Sequence, residues 1–68
     1  MDILVNGQPR TVDSPTSLRE LLESLELPTL DTGVAVSVNG ELVRRAEWPG
    51  TRLKPRDELE IVQATQGG

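Results

Sequence analysis

Cysteine and histidine are both absent from this 68-residue chain. No disulfide can staple the fold, and no thiolate or imidazole is available to bind a metal. Cys-His and Ser-His-Asp catalysis are excluded within the chain. Phenylalanine and tyrosine are missing too, and Trp48 is the one aromatic residue. The core must therefore be aliphatic, and there is no aromatic platform on which bases could stack. Positive charge is also in deficit: the formal net charge is −4, which argues against a nucleic-acid or anionic-membrane partner. No apolar run approaches the ~18 residues of a membrane span. Met1-Asp2 leads straight into a strand-like stretch, without the charged-then-apolar pattern of a signal peptide, so a cytoplasmic location is expected.

What is present is enough for one small domain. Val, Ile and Leu are plentiful, although 26% of residues are charged, and a folded chain is expected. Ile3-Leu4-Val5 is a β-rich run that meets Asn6-Gly7. Both of these turn residues tolerate positive φ, so a tight hairpin follows. The return strand runs from about Gln8 to Val12, and Pro9 within it lacks a backbone donor, which places it at a sheet edge. Ser17 and Glu20 have the spacing of a capping box. Leu18, Leu21, Leu22 and Leu25 then recur on a single helical stripe. An amphipathic helix of about three turns is predicted, ended by Pro28. The leucine stripe could face a partner, but it reads first as core, since the sheet has one convincing helix to cover it.

After a loop through Leu30, Asp31 and Thr32, Val34, Val36 and Val38 alternate with Ala35, Ser37 and Asn39. That is the pattern of a half-buried strand. Asn39-Gly40 signals a second hairpin, with Glu41-Leu42-Val43 starting the return. Arg44 to Arg56 reads as irregular, with turns at Pro49-Gly50 and near Pro55-Arg56-Asp57. The last strand spans Glu58 to about Ala64. Leu59 and Ile61 should face the core and Val62 and Ala64 the other side. Two hairpins flanking one helix, followed by a final strand, imply an α+β roll. A mixed sheet of about five strands would carry the helix on one face, with its first and last strands parallel at the centre. This is the β-grasp, or ubiquitin-like, arrangement. Residues 1–64 would form the domain and residues 65–68 a flexible tail.

The tail ends in Gly67-Gly68. Two glycines leave the terminal carboxylate on a thin arm without side chains. Such an arm can bend to the geometry of a narrow channel in a partner's active site. Alone the diglycine is a weak signal, since termini are commonly loose. On a β-grasp body it gains meaning.

The chain resembles the ThiS family of sulfur carriers, small ubiquitin-like proteins of thiamine biosynthesis. The resemblance spans the whole chain. It rests on Ile3-Leu4-Val5-Asn6-Gly7, on Ser17-Leu18-Arg19-Glu20-Leu21-Leu22, and on Val36-Ser37-Val38-Asn39-Gly40. Val43-Arg44-Arg45 with Trp48 is similar to a Val-Pro-Arg-x-x-Trp stretch, with Arg44 in place of Pro. Asp57, Leu59, Ile61 and Gly67-Gly68 complete it. The resemblance implies that a ThiF-type adenylating enzyme, similar to ubiquitin-activating enzymes, consumes ATP to adenylate the Gly68 carboxylate. A persulfide of the cysteine desulfurase route then replaces AMP, giving a thiocarboxylate. That species donates sulfur to a thiazole synthase of the ThiG type. The chain would be a carrier and co-substrate with no catalytic residue, no metal and no bound cofactor. Gly68 would be the modified residue and Gly67 the residue that keeps the arm thin.

Other features compete for a role. Arg44, Arg45, Arg52, Lys54 and Arg56 crowd into one segment, as a solvated face or a dock for an acidic partner. Leu4, Val62 and Ala64 fall on the sheet face away from the helix, where they form a partner surface unless a loop covers them. Trp48 reads as filler at the core edge rather than as a binding anchor. Of the carboxylates Asp57, Glu58 and Glu60, the adjacent acids at the strand start point to different faces, which disfavours acid–base or metal chemistry. A molybdopterin-type sulfur carrier, a ubiquitin-like protein modifier and a plain binding module remain as alternatives.

Overall fold

The computed structural model describes residues 1–27 and 33–63. Within them lie β1 (Asp2–Val5), β2 (Gln8–Thr11), α1 (Leu18–Ser24), β3 (Val34–Val38), β4 (Glu41–Val43), a 3-10 helix (Arg45–Gly50) and β5 (Glu58–Gln63). One five-stranded sheet has the order β2-β1-β5-β3-β4. β1 and β5 are parallel, and the other neighbours are antiparallel. This is the predicted β-grasp arrangement, with the last strand at the centre of the sheet.

Both hairpins turn as their sequence requires. Asn6 and Gly7 have φ of 52° and 81°, and Asn39 and Gly40 have 51° and 87°. Positive φ at both central residues is the two-residue turn whose twist matches that of its strands. Pro9 pairs with Leu4 from β2, an edge strand, so its missing donor costs no ladder bond.

The capping box is present in both directions. The Glu20 N–H donates to Ser17 Oγ at 3.1 Å, and the Ser17 N–H donates to Glu20 Oε1 at 3.1 Å. The Leu18 N–H donates to Thr51 O at 2.8 Å, tying the helix start to the long crossing segment. The helix is shorter than its leucine stripe suggests. It covers seven residues, with Leu25 as its C-cap, which is about two turns. Glu26 adopts a φ of 53°, so the chain leaves the helix before Pro28, itself outside the described residues. So short a helix is held by packing rather than by its own propensity.

That packing forms the core. Ile3, Leu18, Leu21, Leu22, Val36, Trp48, Leu53, Leu59 and Ile61 are buried together, between α1, the 3-10 helix and the inner sheet face. The crossing segment is more ordered than its sequence implies, because Arg45–Gly50 forms a 3-10 helix with Pro49 inside it. Trp48 lies within the core at 1% exposure rather than at its edge. Its indole N–H donates to Val43 O at 3.1 Å, so the one polar atom of the ring is satisfied. The Arg45 guanidinium lies 5.3 Å from the ring centroid, within cation–π range.

Candidate functional site

Gly67, Gly68 and Ala64 lie outside the described residues. What the structure supplies is the mount, since β5 is the strand that leads toward them. Its register with β3 runs from Val38↔Leu59 to Val34↔Gln63. Its register with β1 is shorter, covering Leu4↔Glu58 and Val5↔Leu59. On that side the Leu4 N–H donates to Asp57 O at 2.9 Å, and the Asn6 N–H to Leu59 O at 2.9 Å. There β1 turns away.

The Asn6 side chain continues where the backbone stops. Ile61 N–H donates to Asn6 Oδ1 at 2.7 Å, and Asn6 Nδ2 donates to Ile61 O at 3.2 Å. One carboxamide thus satisfies both main-chain groups of Ile61, as a further strand residue would. Asn39 holds the start of β5 in a related way. Glu58 N–H donates to Asn39 Oδ1 at 2.9 Å, and the Asn39 N–H donates to Glu58 O at 2.7 Å. Asn39 Nδ2 also donates to Asp57 Oδ1 at 3.0 Å. The other Asp57 oxygen accepts the Lys54 N–H at 2.7 Å, so this carboxylate is fully hydrogen-bonded at 5% exposure. The sequence marks both asparagines as turn formers. The unused signal was the carboxamide itself, which carries a donor and an acceptor where glycine or aspartate would also allow the turn.

The sheet face away from α1 is the second part of the site. Pairing places Leu4 beside Pro9 and Glu58, Val62 beside Ala35, and Leu42 and Glu60 on either side of Ser37. Val62 is 63% exposed, whereas Leu4 is half-buried. Among the described residues no loop covers Val62, as an exposed partner surface requires. Leu42, at 71% exposure, belongs to the same face and was not foreseen. Ala35, Leu42, Val62 and Glu60 line one shallow depression. The strand positions that point outward carry the acids Asp2, Glu58 and Glu60 and no basic residue.

The remaining candidates separate cleanly. Arg44, Arg45, Arg52, Lys54 and Arg56 are all exposed, on the crossing segment rather than on the strands. Asp57 is buried while Glu58 and Glu60 are exposed. Among the described residues no three acidic, cysteine or histidine side chains gather where a metal could bind. No helix among them is long and apolar enough to cross a membrane.

The sequence model of the ThiS family matches residues 3–68. The chain is 36% identical over 66 residues to the sulfur carrier protein ThiS of Thermus thermophilus, covering 97% of this chain and 98% of that protein. It is 29% identical over 68 residues to the sulfur carrier protein ThiS of Escherichia coli, covering 100% of both. The crystal structure of the thiamine biosynthesis protein ThiS from Geobacter metallireducens matches the fold with a TM-score of 0.83. Identity to it is 34%, with 100% of each chain covered.

Proposed function

Because the chain belongs to the ThiS family, we propose that it is a sulfur carrier of thiamine biosynthesis whose working group is the C-terminal carboxylate of Gly68. The observation that carries this reading is the end-to-end match to sulfur carrier proteins, on a fold that brings the C-terminal strand to the sheet centre. A chain without cysteine or histidine has no side-chain thiol to hold sulfur. A terminal carboxylate can hold it, once activated.

The chemistry balances as follows. A carboxylate oxygen of Gly68 attacks the α-phosphorus of ATP in a partner adenylating enzyme of the ThiF type, and pyrophosphate leaves. The mixed anhydride now has AMP as a good leaving group. The terminal sulfur of a persulfide, generated by cysteine desulfurase chemistry, attacks the acyl carbon and expels AMP. A second thiol cleaves the resulting S–S bond and is oxidised to a disulfide, leaving a thiocarboxylate on Gly68. Its nucleophilic sulfur is then passed to a thiazole synthase of the ThiG type. The chain contributes no acid or base to these steps. It contributes placement, through a thin arm at Gly67 and a docking face at Leu4, Leu42, Val62 and Ala64.

Intact mass spectrometry tests this directly. The chain is incubated with a ThiF-type enzyme, ATP and a persulfide source, then treated with a thiol alkylator. With no cysteine in the sequence, ATP-dependent alkylation mapped to Gly68 reports a thiocarboxylate. An unmodified chain beside an active partner enzyme refutes the proposal. Gly68 joined to a lysine would reveal a protein modifier instead. Tagging that persists with enzymes of molybdopterin synthesis but fails with those of thiamine synthesis would move the carrier to the other pathway.

A further inference from the structure

We infer that Asn6 is a positioning residue for the reaction at Gly68: its carboxamide, clamped on Ile61, fixes the course of β5 toward the reactive end. This rests on the proposed function. Beyond Leu59, β1 offers β5 no more backbone, and β5 continues along β3 through Ala35↔Val62 and Val34↔Gln63. On the β1 side the Asn6 side chain binds Ile61, with both main-chain groups engaged at 2.7 and 3.2 Å. A strand paired along one edge can swing and twist about that edge, and one paired along both cannot. Ile61 is thus held on both sides, by Asn6 and by its pairing with Val36, ahead of the tail.

The turn chemistry makes the clamp separable from the turn. Glycine accepts positive φ without strain, so Asn6→Gly keeps the hairpin and the Asn6 N–H bond to Leu59 O while deleting both contacts to Ile61. Asn39→Gly is the matched control. It likewise keeps its turn and its backbone bond to Glu58 O, and it deletes two side-chain bonds at the far end of β5 from the tail. Neither residue lies among the outward-facing apolar positions that form the docking face, so docking is left intact.

The experiment compares wild type, Asn6→Gly and Asn39→Gly at a temperature where all three are folded by NMR. Amide hydrogen exchange at Ile61 is measured alongside kcat and KM for pyrophosphate release with a ThiF-type enzyme and ATP. Asn6→Gly is expected to speed Ile61 exchange and to lower kcat about tenfold with KM within about twofold, since small misplacement of a reacting group acts on the chemical step. Asn39→Gly is expected to lose thermal stability yet keep kcat within about twofold, since its contacts do not reach Ile61. Unaltered Ile61 exchange in Asn6→Gly would show that the clamp does not hold β5 and would overturn the inference. So would a wild-type kcat in Asn6→Gly despite faster exchange, or an equal fall in kcat in both variants, which marks a structural role alone. No turnover of the wild-type chain refutes the sulfur-carrier reading, and the role of Asn6 with it; turnover of wild type and Asn6→Gly at equal rates refutes only the role of Asn6.

Discussion

Removing Trp48 should cost this domain a large share of its stability. The ring is 1% exposed and sits in a cluster otherwise built from aliphatic side chains. Truncating a buried tryptophan to alanine costs about 3–5 kcal/mol in lost transfer energy and unfilled space. At about 0.05–0.15 kcal/mol per residue, a chain of this length is stable by only about 3–10 kcal/mol. Trp48→Ala is therefore expected to lose about a third or more of the domain's stability and to melt well below wild type. Trp48→Phe separates the ring from its hydrogen bond. It keeps an aromatic plane beneath Arg45 but leaves Val43 O without the indole donor, and it fills less volume. The expected loss is about 1–2 kcal/mol, from one net hydrogen bond and a small packing defect. For a domain of this size that corresponds to a fall in Tm of roughly 4–8 °C per kcal/mol. Far-UV circular dichroism is the suitable assay, because neither variant retains a tryptophan to report by fluorescence. A Trp48→Ala protein that melts within about 2 °C of wild type would refute the placement of this ring in the core.

Two further outcomes follow from the geometry. Ser17→Ala removes the acceptor of the Glu20 N–H and one half of the capping box, at a cost of about 1 kcal/mol. With a urea slope near ~1 kcal/mol/M, the midpoint should fall by about 1 M at constant slope, and an unmoved midpoint would deny the cap any role. Leu42→Thr combined with Val62→Thr keeps strand-forming side chains on the exposed face. The double variant should retain its Tm, while KM for the adenylating enzyme rises about tenfold, the equivalent of about 1.4 kcal/mol of lost apolar contact. An unchanged KM would remove this face from the docking surface.

Local chemistry explains which parts of the fold could be read from the sequence. Each Asn-Gly pair declares its turn because positive φ at two successive residues is open to few others. Ser17 and Glu20 declare the helix start because the reciprocal bonds need that spacing and nothing more distant. The parallel β1–β5 pair follows from counting hairpins on either side of one helix. The helix end was less legible: the stripe continues to Leu25, while the residue that leaves the helix, Glu26, carries no sign of its positive φ. The 3-10 helix was hidden for a different reason. It exists because Trp48 is drawn into the core and anchored on Val43 O, a tertiary event that Arg45–Gly50 does not encode by periodicity. Leu42 was missed because a three-residue strand has no visible alternation. Only its register, with Val43 opposite Val36, decides that Leu42 faces outward. The clamps of Asn6 and Asn39 join residues far apart in the chain, and no local pattern points to them.

A single strand connects these features to the proposed chemistry. β5 carries Leu59 and Ile61 into the core, Glu60 and Val62 onto the outer face, and its main chain toward the diglycine. A partner that docks on Val62 therefore grips the same strand whose continuation it must receive. The positional error between the docking contact and the reacting carboxylate grows with every soft dihedral between them, and effective molarity falls as that error grows. Pairing on both edges removes softness from the first part of the path, up to Ile61. Under the proposed function, with neither thiol nor imidazole in the chain to assist the reaction, the chain's proposed contribution is placement. That is why a side-chain clamp at Ile61, rather than an acid or a base, is where a change remote from Gly68 should be felt in kcat.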